Sequence, residues 1–202
     1  MGPPIAEILK DTEYRPELVQ RIAVRESQPS LEVVAYDPAW PNIFIRIKER
    51  ILAALGETAV AVHHTGSTSV PGLPAKNIID VDLVVRDSTN EEDYVRELES
   101  AGFKFLLREP HWHQHRFFYA YHPHAVNLHV WSPDCPEVAR HQIFRQRLLS
   151  SPEDLAMYLE AKQLAASQIR EHGGDMADYN FLKEKTIRQI LRNAFKDLGY
   201  FT

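Results

Sequence analysis

Gly66-Ser67 is followed, after twelve intervening residues, by Asp80-Val81-Asp82, and this arrangement constrains the chain more than any other. A strand turns residues i and i+2 to one face, so Asp80 and Asp82 aim together while Val81 and Leu83 point away. Two like charges on one face of a largely apolar strand are costly unless a cation neutralises them. Converging carboxylates are a natural seat for a hard divalent ion such as magnesium. A Gly-Ser turn by itself is equally well a plain tight turn between strands. With two acids downstream it also reads as a cradle whose backbone N–H groups approach phosphate oxygens. Metal plus phosphate cradle points to nucleotide chemistry.

The flanking sequence supplies a sheet for these residues. Segments 31–36, 59–64 and 78–85 read as strands, and three more are expected at 103–107, 116–121 and 125–131. Between the first two strands, Phe44, Ile47, Ile51, Leu52 and Leu55 share one helical face. Asp37 is placed to cap that helix with Pro38 in its first turn, and Gly56 to close it. Residues 90–100 form a short amphipathic helix ended by Gly102. Three helices follow, at 135–149, 152–172 and 178–198, broken by Ser150-Ser151-Pro152 and by Gly173-Gly174. Upstream, Leu18, Val19 and Ile22 give 13–25 a helical spacing. Strands in the middle and helices at both ends imply an α+β (α/β-type) sheet domain over 31–202, with residues 1–30 as an N-terminal helical arm.

Composition narrows the partners. No apolar run reaches the roughly 20 residues needed to span a bilayer, and the first ten residues lack a secretory pattern. Cys135 is the only cysteine, which excludes an internal disulfide and any multi-cysteine zinc site. A cytoplasmic setting without membrane partners is expected. A net charge of −5 argues against a protein that coats nucleic acid, while leaving room for a local basic pocket for one triphosphate.

The order helix, strand, Gly-Ser turn, strand with Asp-x-Asp resembles the active-site entry of the nucleotidyltransferase fold. The run from His64 through Thr65-Gly66-Ser67-Thr68-Ser69-Val70-Pro71-Gly72-Leu73-Pro74-Ala75-Lys76-Asn77-Ile78-Ile79 to Asp80 closely resembles the signature of the GrpB family. Tyr36-Asp37-Pro38-Ala39-Trp40-Pro41 resembles the family's opening, and Arg116-Phe117-Phe118, Asn127-Leu128-His129-Val130 and Phe144-Arg145 with Leu148 are similar to its later stretches in order. So are the pairs Tyr158 with Lys162 and Tyr179 with Lys183. The resemblance covers about residues 31–195 and implies a nucleotidyltransferase-like mixed sheet flanked by helices. Bacterial relatives fused to dephospho-CoA kinase point towards adenine nucleotides or coenzyme A metabolism. Where the family usually has Pro at 77 and His at 127 this chain has Asn, and the acid after Phe-Arg is Gln146 here.

The resemblance implies a protein that binds a nucleoside triphosphate with Mg2+ or Mn2+ and transfers a nucleotidyl group to an acceptor hydroxyl. Asp80 and Asp82 would hold the ion. Enzymes of this fold place a third carboxylate on a later strand, and the stretch 127–130 offers only Asn127 and His129 on one face. Either His129 completes the set, with imidazole favouring manganese or zinc, or classical transfer is lost. Gly66, Ser67, Arg116, Arg145, Lys76, Lys162 and Lys183 are candidates to bind phosphate, and His64 to touch ligand or orient the turn. At i, i+4 each tyrosine shares a helix face with its lysine. His111, His113 and His115 would form a separate metal set if extended as a strand, although Pro110 and its polar neighbours favour a loop. The competing readings are a nucleotide or metal-binding module or scaffold without turnover, and a transferase acting on a tRNA-linked substrate.

Overall fold

A computed structural model describes residues 2–27, 30–174 and 176–201. The named elements are α1 (Ile5–Leu9), β1 (Gln20–Arg21), α2 (Trp40–Leu55), β2 (Ala59–Thr65), β3 (Ile79–Val85), α3 (Val95–Ser100), β4 (Lys104–Glu109), β5 (His115–Ala120) and β6 (Val126–Trp131). They continue with α4 (Pro136–Ser150), α5 (Pro152–His172) and α6 (Met176–Asp197). The strands form one mixed sheet in the order β1-β4-β5-β6-β3-β2. Every pairing is antiparallel except β3 with β6, which run parallel. This is the α+β architecture that the sequence implies.

The two faces of β3 have opposite roles. Val81, Leu83 and Val85 face α2, whose Trp40, Ile43, Ile47, Ile51 and Leu55 bury against them together with Leu98 and Phe103. Removing such side chains from water is worth roughly 1.5–3 kcal/mol each, so this layer fixes the register of the central strands. A slip of one residue would carry Asp80 and Asp82 into the core. Their proper face looks towards α4, and α5 and α6 extend that side. There Val70 and Leu73, just after the Gly-Ser turn, pack with Leu148, Tyr158 and Ile190. The three C-terminal helices thereby hold the turn in place.

Four local expectations change. Segment 13–25 is not a helix: Pro16–Leu18 make one 3-10 turn, and Gln20–Arg21 pair with Arg108 and Leu107 of β4. Pro16 cannot continue a helical ladder, and the open edge of β4 offers the backbone better partners. Segment 31–36 contributes only one bridge, Val34 with Ala75. The capping role of Asp37 falls one turn early: its Oδ1 accepts the Ala39 N–H at 2.8 Å, and Pro41 rather than Pro38 enters the first turn of α2. Segment 90–100 divides into a 3-10 turn, Glu91–Asp93, and α3.

Besides pairing with β4, the arm lies along the domain elsewhere. Ile8 of α1 packs on Leu191 and Phe195 of α6, and Arg140 of α4 gathers the carbonyls of Ile8 and Lys10 and the Asp11 carboxylate. Further along, Arg25 lies over Phe117 and Tyr119 of β5. Among the described residues no helix is long and apolar enough to cross a membrane.

Candidate functional site

Register alone sets the rows of the polar face. Asp80 sits beside Asn127 and Thr65, and Asp82 beside His129 and His63. Asn127 and His129 in turn lie opposite Tyr119 and Phe117 of β5. Asp80, Asp82 and His129 therefore share one face, as their spacing requires.

The two aspartates have different surroundings. Asp82 is fully buried, with Oδ1 accepting the Trp131 Nε1–H at 2.9 Å and Oδ2 2.8 Å from His141 Nδ1. Burial alone would raise its pKa, but the neighbouring His141 charge and hydrogen bond hold it below the usual carboxylate value. Burial also works against a charged His141, and Asp82 overcomes it, lifting the imidazole to about 9. His141 is thus the cation beside Asp82. Sequence reading did not single it out, because it lies on α4, 59 residues from its partner. Asp80 is half-buried, and its Oδ1 accepts Asn127 Nδ2 at 2.8 Å. Asn127 Oδ1 accepts in turn from Arg25 at 3.0 Å, so the arm reaches this row.

Gly66 adopts φ +66°, and a Cβ there would lie 2.8 Å from Asp80 Cγ while overlapping Oδ2. Glycine is required both by that backbone conformation and by the close approach of the carboxylate. Ser67 Oγ lies 3.2 Å from Tyr158 Oη. On the other side of the turn, Arg145 Nε donates to the Ser69 carbonyl at 3.1 Å.

Three lysines converge beside this turn. Lys162 Nζ is 5.4 Å from the Tyr158 ring centre, and Lys183 Nζ is 4.4 Å from that of Tyr179 and 6.0 Å from that of Tyr158. Lys76 Nζ lies 3.8 Å from the Tyr179 ring. Lys162 and Lys183 are only 2% and 8% exposed, a rare state for a charged group. Burial and then mutual lysine repulsion lower Lys76 and Lys162 to about 7, with Asp80 pulling the other way. Lys162 donates to the Pro74 carbonyl at 2.5 Å. The Tyr179 hydroxyl, inside the same group, is buried and has no hydrogen-bond partner among the described residues. A buried hydroxyl left so costs about 1–3 kcal/mol.

The other sequence candidates lie elsewhere. Arg116 turns to the opposite sheet face, where Glu91 holds its Nε at 2.8 Å. His64 also faces α2: it stacks on Phe44 at 4.6 Å, and its Nε2 is 3.0 Å from Thr68 Oγ1. Burial, with help from Arg145, lowers His64 to about 4. It braces the turn as a neutral ring. His64 and Arg145 line a cavity of about 730 Å³ whose walls include none of Asp80, Asp82 or the three lysines. His113 and Gln114 take left-handed backbone angles, so 111–114 is a loop and the three histidines do not alternate on a strand face. His115 begins β5 and turns inward to Glu109 and His129.

Among the described residues no three His, Cys, Asp or Glu side chains are grouped to hold a metal ion. The donor atoms agree: Asp82 has each oxygen engaged, His129 has Nδ1 engaged and Asp80 has Oδ1 engaged. As arranged, these residues do not fit an ion held by protein alone.

Comparison with known proteins follows the same outline. A family model described as GrpB protein matches residues 30–193. A UPF0157 protein of Halalkalibacterium halodurans is 38% identical over 197 residues, spanning 95% of this chain and 98% of that protein. A protein named dephospho-CoA kinase, from Mycolicibacterium paratuberculosis, is 28% identical over 190 residues, covering 82% of this chain and 46% of its own length. The crystal structure of conserved protein GrpB from Enterococcus faecalis superposes with a TM-score of 0.68 at 26% identity, covering 83% of this chain and 99% of that one.

Proposed function

This chain belongs to the GrpB family, and from that premise we propose that it binds the phosphate chain of a nucleoside triphosphate beside the Gly66–Ser69 turn and passes the nucleotidyl group to an acceptor hydroxyl. The observation that carries this reading is the convergence of Lys76, Lys162 and Lys183 on one side of the turn. Burial and then mutual repulsion hold Lys76 and Lys162 below the usual ammonium value, and a polyanion would stabilise their charged forms. The Tyr179 hydroxyl beside them, without a partner among the described residues, offers a donor to the same ligand. The ordering of strand, turn and Asp-x-Asp strand supports a nucleotidyltransferase-like scaffold, and a relative named dephospho-CoA kinase favours an adenine nucleotide.

In the transfer, the acceptor oxygen bonds to the α-phosphorus while the bond to the bridging oxygen breaks and pyrophosphate leaves. The acceptor proton passes to His129 Nε2. The lysines and Ser67 orient and neutralise the phosphates. Asp80 is the residue that would meet a divalent ion carried by the triphosphate, which would supply neutralising charge to the phosphate oxygens.

Thermal shift against the four nucleoside triphosphates, with and without magnesium or manganese, tests binding. Stabilisation by at least one nucleotide, lost in Lys183→Met, is expected; no stabilisation by any of them defeats the reading. Pyrophosphate release with an acceptor library then tests turnover. The saturation of Asp82 by Trp131 and His141 favours a second reading, a nucleotide-binding module without transfer, which predicts stabilisation without pyrophosphate release.

A further inference from the structure

Behind His129 runs a line of hydrogen bonds that neither phosphate binding nor the sheet requires. His129 Nδ1 lies 3.0 Å from His115 Nε2, and His115 Nδ1 lies 2.7 Å from Glu109 Oε2. The two imidazole planes are 22° apart, with ring centres separated by 5.1 Å. His115 is 1% exposed and packs against Trp131 at 4.3 Å and Trp112 at 4.8 Å, so its orientation is fixed. Glu109, 8% exposed, closes the line.

We propose that Glu109, His115 and His129 form a proton relay that makes His129 Nε2 a base without creating a charged imidazole in the site. This deepens the transfer reading above and rests on it for the identity of the proton donor. Each neutral imidazole carries one N–H, so the line has two self-consistent settings. When Glu109 is a carboxylate it accepts the His115 Nδ1–H. His115 Nε2 then accepts the His129 Nδ1–H, and His129 Nε2 keeps its lone pair. When Glu109 is protonated every hydrogen bond reverses and His129 Nε2 carries the proton.

Proton abstraction converts the first setting into the second. The acceptor proton binds His129 Nε2, the Nδ1 proton moves to His115 Nε2, and the His115 Nδ1 proton moves to Glu109. Three N–H or O–H bonds form and three break. The negative charge leaves Glu109 and appears on the attacking oxygen. In a serine hydrolase triad the aspartate stays ionised and the imidazole keeps the proton. The environment here favours the other outcome. Burial lowers His115 to about 3 and His129 to about 4, and it raises the Glu109 carboxyl. Other groups bear on the line as well. His111 faces Glu109; Asp82, His141 and Arg116 act on His115; Asp82, His141 and Asp80 act on His129. Glu109 touches no substrate in this scheme and is a positioning residue.

The test is a pH titration of the nucleotide-free full chain labelled with 15N-histidine, with His129→Asn used to assign the signals. At neutral pH the relay requires His129 Nε2 to be unprotonated and Nδ1 protonated. On acidification the two nitrogens should exchange character while the ring stays neutral, and Glu109→Gln should abolish that exchange. Direct conversion of His129 to imidazolium, or an unchanged inversion in Glu109→Gln, overturns the relay. The wild-type titration decides alone if Glu109→Gln fails to fold. Where that variant folds, it should bind nucleotide like wild type and transfer about 100-fold more slowly, the lower range for loss of a general base. Unchanged transfer also overturns the relay. Failure of nucleotides to stabilise the protein defeats the transfer reading instead and leaves the titration result standing.

Discussion

Asp82 and His141 form an ion pair across 2.8 Å, with the carboxylate fully buried and the imidazole 29% exposed. Removing one member of such a pair strands the other charge. His141→Ala should therefore cost about 3 kcal/mol, read as a lowered denaturation midpoint. His141, raised to about 9, adds stability in full below its unfolded pKa of 6.5, and loses it as pH climbs to 9. Asp82, lowered from 3.8, adds stability above that value and loses it in acid. The stability advantage of wild type over His141→Ala should therefore shrink between about pH 6.5 and 9, whatever the opposite trend of the lysines adds to both proteins. A difference that stays constant across that window would contradict the pairing.

Gly66→Ala asks the turn to accept a methyl group where Asp80 already lies. Overpacking of this kind costs about 1–3 kcal/mol, and the left-handed backbone adds roughly 1–2 kcal/mol more. The variant should be less stable and should bind nucleotide weakly. Gly56→Ala, whose Cβ would meet nothing within 4 Å, is the control for backbone strain alone.

Lys162→Met should raise the stability of the free protein while lowering nucleotide affinity at least tenfold. Lys162 is held at about 7 in the fold against 10.5 when unfolded, so the unfolded chain binds more protons between those values. Stability from this lysine rises with pH across that window, opposite in sign to the His141 contribution. The variant should lose that rise, as urea melts at pH 7 and pH 10 would show.

Nucleotide binding should also take up protons near pH 7. Lys76 and Lys162 are partly deprotonated there, and an incoming polyphosphate favours their charged forms. Calorimetry in buffers of different ionisation enthalpy measures the uptake directly. A binding enthalpy independent of buffer would contradict it.

Tyr179→Phe removes a buried hydroxyl that has no partner among the described residues. The free protein should gain about 1 kcal/mol, and the gap between free and nucleotide-bound melting temperatures should narrow. A destabilised variant would mean that the hydroxyl is satisfied in solution.

The sequence exposes some of this site and hides the rest for definable reasons. Asp80, Asp82 and the Gly66 turn are legible because strand alternation and backbone conformation act over a few residues. Tyr158 with Lys162 and Tyr179 with Lys183 follow from helical spacing. His141 is not legible, since nothing local to α4 says which aspartate it will meet. The line from Glu109 through His115 to His129 depends on the pairing of β4 with β5 and of β5 with β6. A histidine run suggests a metal until register separates its members. Segment 13–25 has an apolar spacing that suits a helix, whereas the sheet edge has the stronger claim on its backbone.

Asn127 turns its oxygen to Arg25 and its nitrogen to Asp80. Because an amide has one accepting and one donating end, rotating it by half a turn would break both bonds at once. One small side chain therefore works as a latch between the N-terminal segment and β3. The position of residue 25 and the rotamer of residue 80 are settled together, and loosening either releases the other.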